Sequence, residues 1–291
     1  METIYTVTQS EITLADFSQS VKLWFFGDVH RDTPSCDVDR WQWFLRRAKE
    51  KLDDNTLFLG MGDYNDFASA SEQKTIYRGN LHRETIIKLD GIVERDNRRF
   101  ANEISFMRGK LIGFIEGNHT WFFLNGKTAT EDLAERMDTQ YLGWLNHHML
   151  KIKFKRTTKF IVIYIVSCHG KSGGKKVGTS INQVEDMREI FPIADLYIYG
   201  LDHQRGAWPV NVMVPSISNR GGRVLLKQKR QFLCRSGSFK KGYTPGVSSY
   251  EVSRLLKPAD LGALLIEVGV HRDTSTKEGY DRLITDIEAR I

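Results

Sequence analysis

Five short peptides in this chain carry residue types that can bind a divalent cation, and they occur in order: Gly27-Asp28-Val29-His30, Gly62-Asp63-Tyr64-Asn65-Asp66, Gly117-Asn118-His119, Cys168-His169-Gly170 and Gly200-Leu201-Asp202-His203. Carboxylate oxygens and imidazole nitrogens make a good mixed donor set for a borderline metal. Side chains alternate faces along an extended segment, so Asp28 and His30, two apart, are expected to point toward one cation. Asp63 has the carboxylate needed to bridge two ions. Asn118 and His169 offer an amide oxygen and a nitrogen, and His203 can complete the first ion's shell. The glycines before Asp28, Asp63 and Asn118, and the one after His169, permit tight turns and close backbone approach to an anion. A single Gly-Asp is usually only a turn. The ordered set of five is what points to metal-assisted chemistry.

Such ligands converge only if something aligns them. Four of the peptides follow segments that read as buried strands: Lys22 to Phe26, Thr56 to Leu59, Lys110 to Ile115 and Phe160 to Val166. The fifth follows Ala194 to Tyr199, which alternates like a shorter strand. Helical patterns lie between them. Asp37 to Leu52 places Trp41, Phe44, Leu45, Ala48 and Leu52 on one stripe. Glu84 to Gly109 places Ile87, Leu89, Ile92, Phe100, Ile104 and Met107 on a partly buried face, and Thr130 to His148 and Ile181 to Ile190 also read as helices. A strand-rich stretch follows from about 208 to 268. Leu283, Ile284, Ile287 and Ile291 then predict a C-terminal helix near 274–291. The fold class is therefore α/β, with two packed mixed sheets and helices outside.

With these motifs in place, the chain resembles the calcineurin-like metallophosphoesterase superfamily, in particular its phage and bacterial branch. Asp-x-His, Gly-Asp-x-x-Asp, Gly-Asn-His, a single His after a strand, and Gly-x-x-His stand in the family's order from residue 22 to about 206. Arg235-Ser-Gly-Ser-Phe239 and the Lys-Gly-Tyr after it extend the likeness. The resemblance implies a four-layer α/β/β/α sandwich. It also implies two divalent metal ions, manganese first, with magnesium, iron, nickel or zinc as alternatives. Asp28, His30, Asp63 and His203 would hold the first ion, and Asp63, Asn118 and His169 the second. His119, beside a ligand, would be the catalytic acid, with Asp63 and Asn118 counted in the catalytic set. The implied reaction is phosphodiester hydrolysis by a hydroxide between the ions, with His119 assisting the leaving group.

Two positions depart from the family pattern. Leu201 replaces the first His of Gly-His-x-His, which removes a nitrogen from the second metal and leaves three outcomes open: a weak second site, a water in its place, or a single-metal enzyme. Leucine cannot coordinate, and Asp202 next to it is expected to face away. Thr120 stands where the family has an acid after Gly-Asn-His. This would leave His119 without a carboxylate to orient it.

The chain of 291 residues, 41% hydrophobic and 27% charged, can bury a full core. Nothing in it reads as a linker, so a single domain over 1–291 is expected, with a loop insertion near 67–86 that shapes the cleft. The longest apolar run is too short to span a bilayer, and Met1 to Ser20 lacks the basic-then-apolar order of a signal peptide, so no membrane partner and a cytoplasmic location are expected. Three unpatterned cysteines, Cys36, Cys168 and Cys234, fit a reducing compartment. No Ser-His-Asp arrangement, Walker loop or dinucleotide fingerprint competes.

The net charge of +6 is unevenly spread, with eight basic and no acidic residues between Arg220 and Lys241. That run keeps two alternatives alive: a DNA or RNA nuclease of the same fold, and a non-catalytic nucleic-acid-binding relative. Lys171 and Lys175, in the Gly-rich stretch after His169, and Arg235 are candidate substrate contacts, and Tyr77, Arg78 and His82 are weaker ones. His147, His148 and His271 read as ordinary hydrogen-bonded histidines. Nothing in the sequence sets the oligomeric state.

Overall fold

The computed structural model describes residues 5–68, 74–76, 81–155, 157–170, 176–217, 224–246, 250–273 and 282–290. Eleven strands form two sheets. The first sheet joins β1 (Tyr5–Leu14), β5 (Leu145–Phe154), β6 (Thr157–Cys168), β7 (Leu196–Tyr199), β9 (Val224–Ser236) and β8 (Arg205–Ile217), in that spatial order. The second runs β11 (Arg282–Arg290), β10 (Leu264–Asp273), β2 (Ser20–Phe26), β3 (Thr56–Gly60) and β4 (Leu111–Phe114). Both are mixed. β2, β3 and β4 are parallel to one another, as are β6, β7 and β9, while β5–β6, β8–β9, β2–β10 and β10–β11 are antiparallel.

The apolar side chains explain why the sheets stack. Alternate residues of β2 (Val21, Leu23, Phe25) and β10 (Leu264, Ile266, Val268) meet Leu150 and Ile152 of β5 and Ile163 and Ile165 of β6 in one buried cluster between the sheets. The intervening residues of the five-stranded sheet, Trp24, Phe26, Phe58 and Leu265, pack outward on helices. These helices are α1 (Val38–Glu50), α2 (Arg83–Glu103) and α3 (Ala129–Arg136). On the far face of the six-stranded sheet, Val166, Tyr197 and Leu233 pack on Val184 and Met187 of α4 (Val177–Ile190). The result is the four-layer α/β/β/α sandwich expected from the sequence. α5 (Tyr250–Arg254) is a short helix near the site described below.

Local signals account for the helix starts. Asp37 Oδ1 accepts from Arg40 N at 3.0 Å at the head of α1. At α3 a full capping box forms: Thr128 Oγ1 accepts from Glu131 N at 3.1 Å, and Glu131 Oε2 accepts from Thr128 N at 2.6 Å.

Several expected elements differ. The helix read over Thr130 to His148 ends at Arg136, because Asp138 takes a left-handed backbone (φ 53°) and the chain re-enters a sheet as β5. Of the C-terminal helix expected near 274–291, residues 282–290 form strand β11, which pairs with β10, Ile287 opposite Val268, and the remainder lies outside the described residues. In α2 the buried face is Val93, Asn97, Phe100 and Ala101, while Ile87 and Ile92 are 51% and 45% exposed. β1 had no counterpart in the sequence reading. Of the 67–86 insertion, 69–73 and 77–80 lie outside the described residues, Arg83 opens α2, and Phe67, Ala68 and Ile76 pack with Trp121 and Phe123. No helix among the described residues is long and apolar enough to cross a membrane.

Pairing of β1 with β5 buries His148, whose Nδ1 lies 2.8 Å from Thr8 Oγ1 and whose Nε2 lies 2.8 Å from Ser10 Oγ. Burial pushes this imidazole down to about 4, below the ordinary histidine value near 6.5. The folded state therefore binds fewer protons than the unfolded chain across that window, so this contribution is intact above pH 6.5 and is lost as pH falls toward 4. Between pH 7 and 4.5 the wild-type chain should lose about 2 kcal/mol from this group, a loss absent in His148→Gln. Urea midpoints of both proteins at the two pH values check this, and an equal acid loss in both would overturn it.

Candidate metal centre and cleft

Parallel pairing sets the site. β2, β3 and β4 deliver the Asp28, Asp63 and Asn118 loops to one end of their sheet. β6 and β7 deliver His169 and the Gly200–His203 loop to the matching end of the other. Hydrogen bonds then lock the loops together: Asp28 N donates to Gly62 O (2.9 Å), Val29 N to Asp63 O (2.8 Å) and Phe239 N to Asp28 O (2.9 Å). Among the contacts that cross between the sheets are Leu201 N to Asp28 Oδ2 (3.0 Å) and His169 Nδ1 to Met61 O (2.7 Å).

All seven ligand-type residues expected from the sequence come together. His203 Nε2 lies 3.4 Å from Asp28 Oδ1. His169 Nε2 lies 3.2 Å from Asp63 Oδ2 and 2.9 Å from Asn118 Oδ1, and His30 Nε2 lies 3.8 Å from Asp63 Oδ2. Asp28, His30 and His203 form one group of atoms able to hold a metal ion, Asp28, Asp63 and His169 a second, and His30, Asp66 and His119 a third. Asp28 and His169 are fully buried, and His30 is 1% exposed.

The loops are not extended as expected. Asp28 (φ 47°), His30 (47°), Asp63 (50°), Leu201 (72°) and His203 (57°) are all left-handed, five of the eight such non-glycine residues among those described. Sparsely populated backbone of this kind costs of order 1 kcal/mol or more per residue and persists where its surroundings over-determine it. Here it aims consecutive ligand loops inward. The glycines serve the same packing. A Cβ on Gly117 would stand 2.1 Å from Asp63 Oδ1, and one on Gly62 (φ 96°) 2.6 Å from His169 Nδ1. Both admit a neighbouring ligand side chain rather than an anion.

Electrostatics in the cluster are reciprocal. Burial alone would raise the Asp63 carboxyl, but the His169, His30 and His119 imidazoles outweigh it and hold Asp63 well below the carboxylate range. Burial likewise opposes a charged His169, yet Asp63 and Asp28 raise it to about 9. His30, dominated by burial, is lowered.

His119 has the carboxylate that Thr120 seemed to deny it. Asp66 Oδ1 lies 2.6 Å from His119 Nδ1 and 3.0 Å from His30 Nδ1. Burial opposes the His119 charge, and the Asp66 hydrogen bond with the Asp63 and Asp66 fields overcomes it, raising the imidazole to about 9. Asp66 stands in Gly-Asp-x-x-Asp, and spacing alone assigns it no role. The signal was the motif's second acid. Thr120 instead joins Thr128, Thr130 and Tyr141 around the buried carboxyl of Glu116, which burial raises.

A cleft of about 250 Å³ opens over this cluster, lined by His30, Asp63, Asn118, His119, Leu201, Asp202 and His203 and by Lys240, Glu251, Leu256 and Lys257. The last four were not singled out as site residues from sequence. Asp202 belongs to none of the three metal-capable groups, and its Oδ1 lies 3.6 Å from Arg235 Nη1.

Arg235 is a correction. It is fully buried and donates to Ser180 O (2.9 and 2.7 Å), Gly200 O (2.7 Å) and Gln183 Oε1 (2.6 Å), with its guanidinium over the Tyr199 ring. A fork committed to protein acceptors holds the Gly200–His203 loop on α4 and does not reach substrate. Lys171, Lys175, Tyr77 and Arg78 lie outside the described residues, and His82 precedes α2 as its N-cap. Of the basic run, Lys229 pairs with Asp195 (2.9 Å) and Lys241 with Asp37 (3.0 Å).

No family model matches the sequence, and no curated protein matches it. Among solved structures, the chain is similar to a conserved uncharacterised protein, a predicted phosphoesterase, from Streptococcus pneumoniae TIGR4. The identity is 10%, covering 94% of this chain and 99% of that one, with a TM-score of 0.32. It is also similar to GAP50, the anchor in the inner membrane complex of Plasmodium, at 14% identity over 90% and 88% of the two chains, with a TM-score of 0.40. At these scores neither likeness carries weight, and the functional reading rests on the chain's own geometry.

Proposed function

We propose that this chain is a metal-dependent phosphoesterase of the calcineurin-like class, hydrolysing phosphodiesters, with a second metal position short of one ligand at Leu201. One observation carries the reading. At the centre of the converging ligand set, Asp28 Oδ1 and His30 Nε2 are buried without a hydrogen-bond partner. A buried carboxylate oxygen left unmatched is costly, and a cation beside both atoms satisfies them together. The donor chemistry fits a divalent ion of the manganese, magnesium, iron, nickel or zinc kind.

Asp28, His30, Asp63 and His203 would hold one ion, and Asp63, Asn118 and His169 a second. Bound ions would supply a water nucleophile activated at neutral pH and charge neutralisation on the phosphoryl oxygens. The remaining steps belong to the chain. Asp63 Oδ1 accepts from His119 N at 2.9 Å and so fixes the acid's backbone beside the ligands. Asp66 engages His119 Nδ1, which leaves Nε2 as the atom to serve the leaving-group oxygen. Arg235 and the Leu201 N–H to Asp28 hold the fifth loop in register.

The test is hydrolysis of a chromogenic phosphodiester and the matching monoester with Mn²⁺, Mg²⁺, Zn²⁺ or chelator, on this chain and on Leu201→His. Histidine tolerates the left-handed backbone at 201 better than leucine and restores a nitrogen donor. Turnover should rise about tenfold or more, with more metal bound per chain. No turnover in either protein despite bound metal would reject the reading and favour the non-catalytic binding role.

A further inference from the structure

One wall of the cleft is built by residues that neither complete the metal groups nor align His119. Lys240 lines the cleft beside His30 and His119, with Glu251 and Lys257 beyond it. Its backbone is tied to the metal-ligand loop. Lys240 N donates to Ser238 Oγ at 3.0 Å, and Ser238 Oγ in turn donates to Asp28 O at 2.9 Å. An isolated bridge to Cys36 fixes the same residue from the other side. Its position therefore follows Asp28 rather than the surface.

The Lys240 ammonium is poorly matched by the protein. Its side chain is only 15% exposed, and its ion-pair partner among the described residues is Glu251 Oε1 at 3.7 Å, beyond hydrogen-bond distance. An ammonium carries three donors, and drawing it from water without a bonded acceptor is unfavourable. Its neighbours are settled: Lys257 Nζ donates to Ser180 Oγ at 2.8 Å, and Lys241 Nζ lies 3.0 Å from Asp37 Oδ2. The Lys240 charge also reaches the site. It acts against protonated His30 after burial and the Asp66 hydrogen bond, and against protonated His119, where the Asp63 and Asp66 fields also outrank it.

We propose that Lys240 is the substrate-anion ligand of this cleft, its ammonium taking a nonbridging oxygen of a tetrahedral phosphoryl group, so that both a phosphoester and inorganic phosphate are held by it. The assignment rests on the phosphoesterase reading and adds to it the residue that captures the anion. Charge-assisted bonds to phosphate are among the stronger polar contacts, and lysine serves such sites as a point charge. Arginine should replace it in part, and methionine, of similar length and no charge, should not.

Calorimetric titration of the Mn²⁺-loaded wild-type, Lys240→Met and Lys240→Arg proteins with inorganic phosphate tests this, with bound metal measured separately and kcat/KM for the chromogenic diester taken on the same preparations. The Kd for phosphate should rise about tenfold in Lys240→Met and within about threefold in Lys240→Arg, with metal content unchanged and kcat/KM falling in parallel. Phosphate bound equally well by Lys240→Met, phosphate and metal lost together, or no phosphate bound by the wild-type chain would each overturn the proposal. The two readings fail separately. A chain without turnover that binds phosphate through Lys240 rejects hydrolysis and keeps the anion site. Turnover with phosphate binding indifferent to Lys240 does the reverse.

Discussion

Asp63→Asn is expected to lower phosphodiester turnover by about a thousandfold and to reduce the metal bound per chain. Asp63 is the residue shared by both proposed metal groups, and its Oδ2 faces His169 Nε2 at 3.2 Å and His30 Nε2 at 3.8 Å. Asparagine is close to isosteric and, like aspartate, tolerates the left-handed backbone at this position (φ 50°), so the loop keeps its shape. Its amide oxygen can still accept from His119 N. What would disappear is the one negative charge that both proposed ions would share, worth several kcal/mol of charge stabilisation, and each 1.36 kcal/mol is tenfold in rate. Metal content by elemental analysis and kcat for the chromogenic diester measure the two effects. Turnover within tenfold of wild type, with full metal content, would remove Asp63 from the bridging role.

The convergence of the ligand-type residues was legible because each sits in a short peptide after an apolar strand. Parallel neighbours in a sheet necessarily bring such peptides to one end. The sandwich was legible for the same reason: alternate residues of β2 and β10 bury on one face while Trp24, Phe26 and Leu265 bury on the other. The misses have physical causes. The apolar residues 283, 284, 287 and 291 fit a helical stripe, and only the antiparallel register of 282–290 with β10 decides for a strand there. In α2, Ile87 and Ile92 lie off the face that packs, because buried Asn97 is held there by Ala129 O (2.7 Å) and Asp132 Oδ2 (2.9 Å) of α3. Polar residues satisfied by a tertiary partner are invisible to a hydrophobic period. Arg235 reads as a substrate contact because sequence assigns charge without burial. Its acceptors, the carbonyls of Ser180 and Gly200, come from elements 55 and 35 residues away.

The Asp66–His119 contact is the most consequential feature that spacing did not disclose, and it carries the second large expected effect. One carboxylate oxygen serves two imidazoles, His119 Nδ1 at 2.6 Å and His30 Nδ1 at 3.0 Å. Asp66→Asn keeps the shape of the side chain but can offer an N–H where both rings now meet an anion. It should reduce kcat by about a hundredfold and weaken metal binding by about tenfold, the range found for residues that orient metal-binding and catalytic histidines. The two losses have different origins, and substrate chemistry separates them. A leaving group as stable as nitrophenolate needs little protonation, whereas an alkoxide needs much, so the rate loss through His119 should be larger for an alkyl ester than for the nitrophenyl ester. The loss through His30 should be the same for both and should shrink at saturating metal. His119→Gln isolates the first effect, since it leaves Asp66 and His30 paired: leaving-group sensitivity should rise as in Asp66→Asn while metal affinity stays at the wild-type value. If Asp66→Asn slows both esters equally at saturating metal, Asp66 does not act through His119, and the acid role proposed for that histidine falls with it.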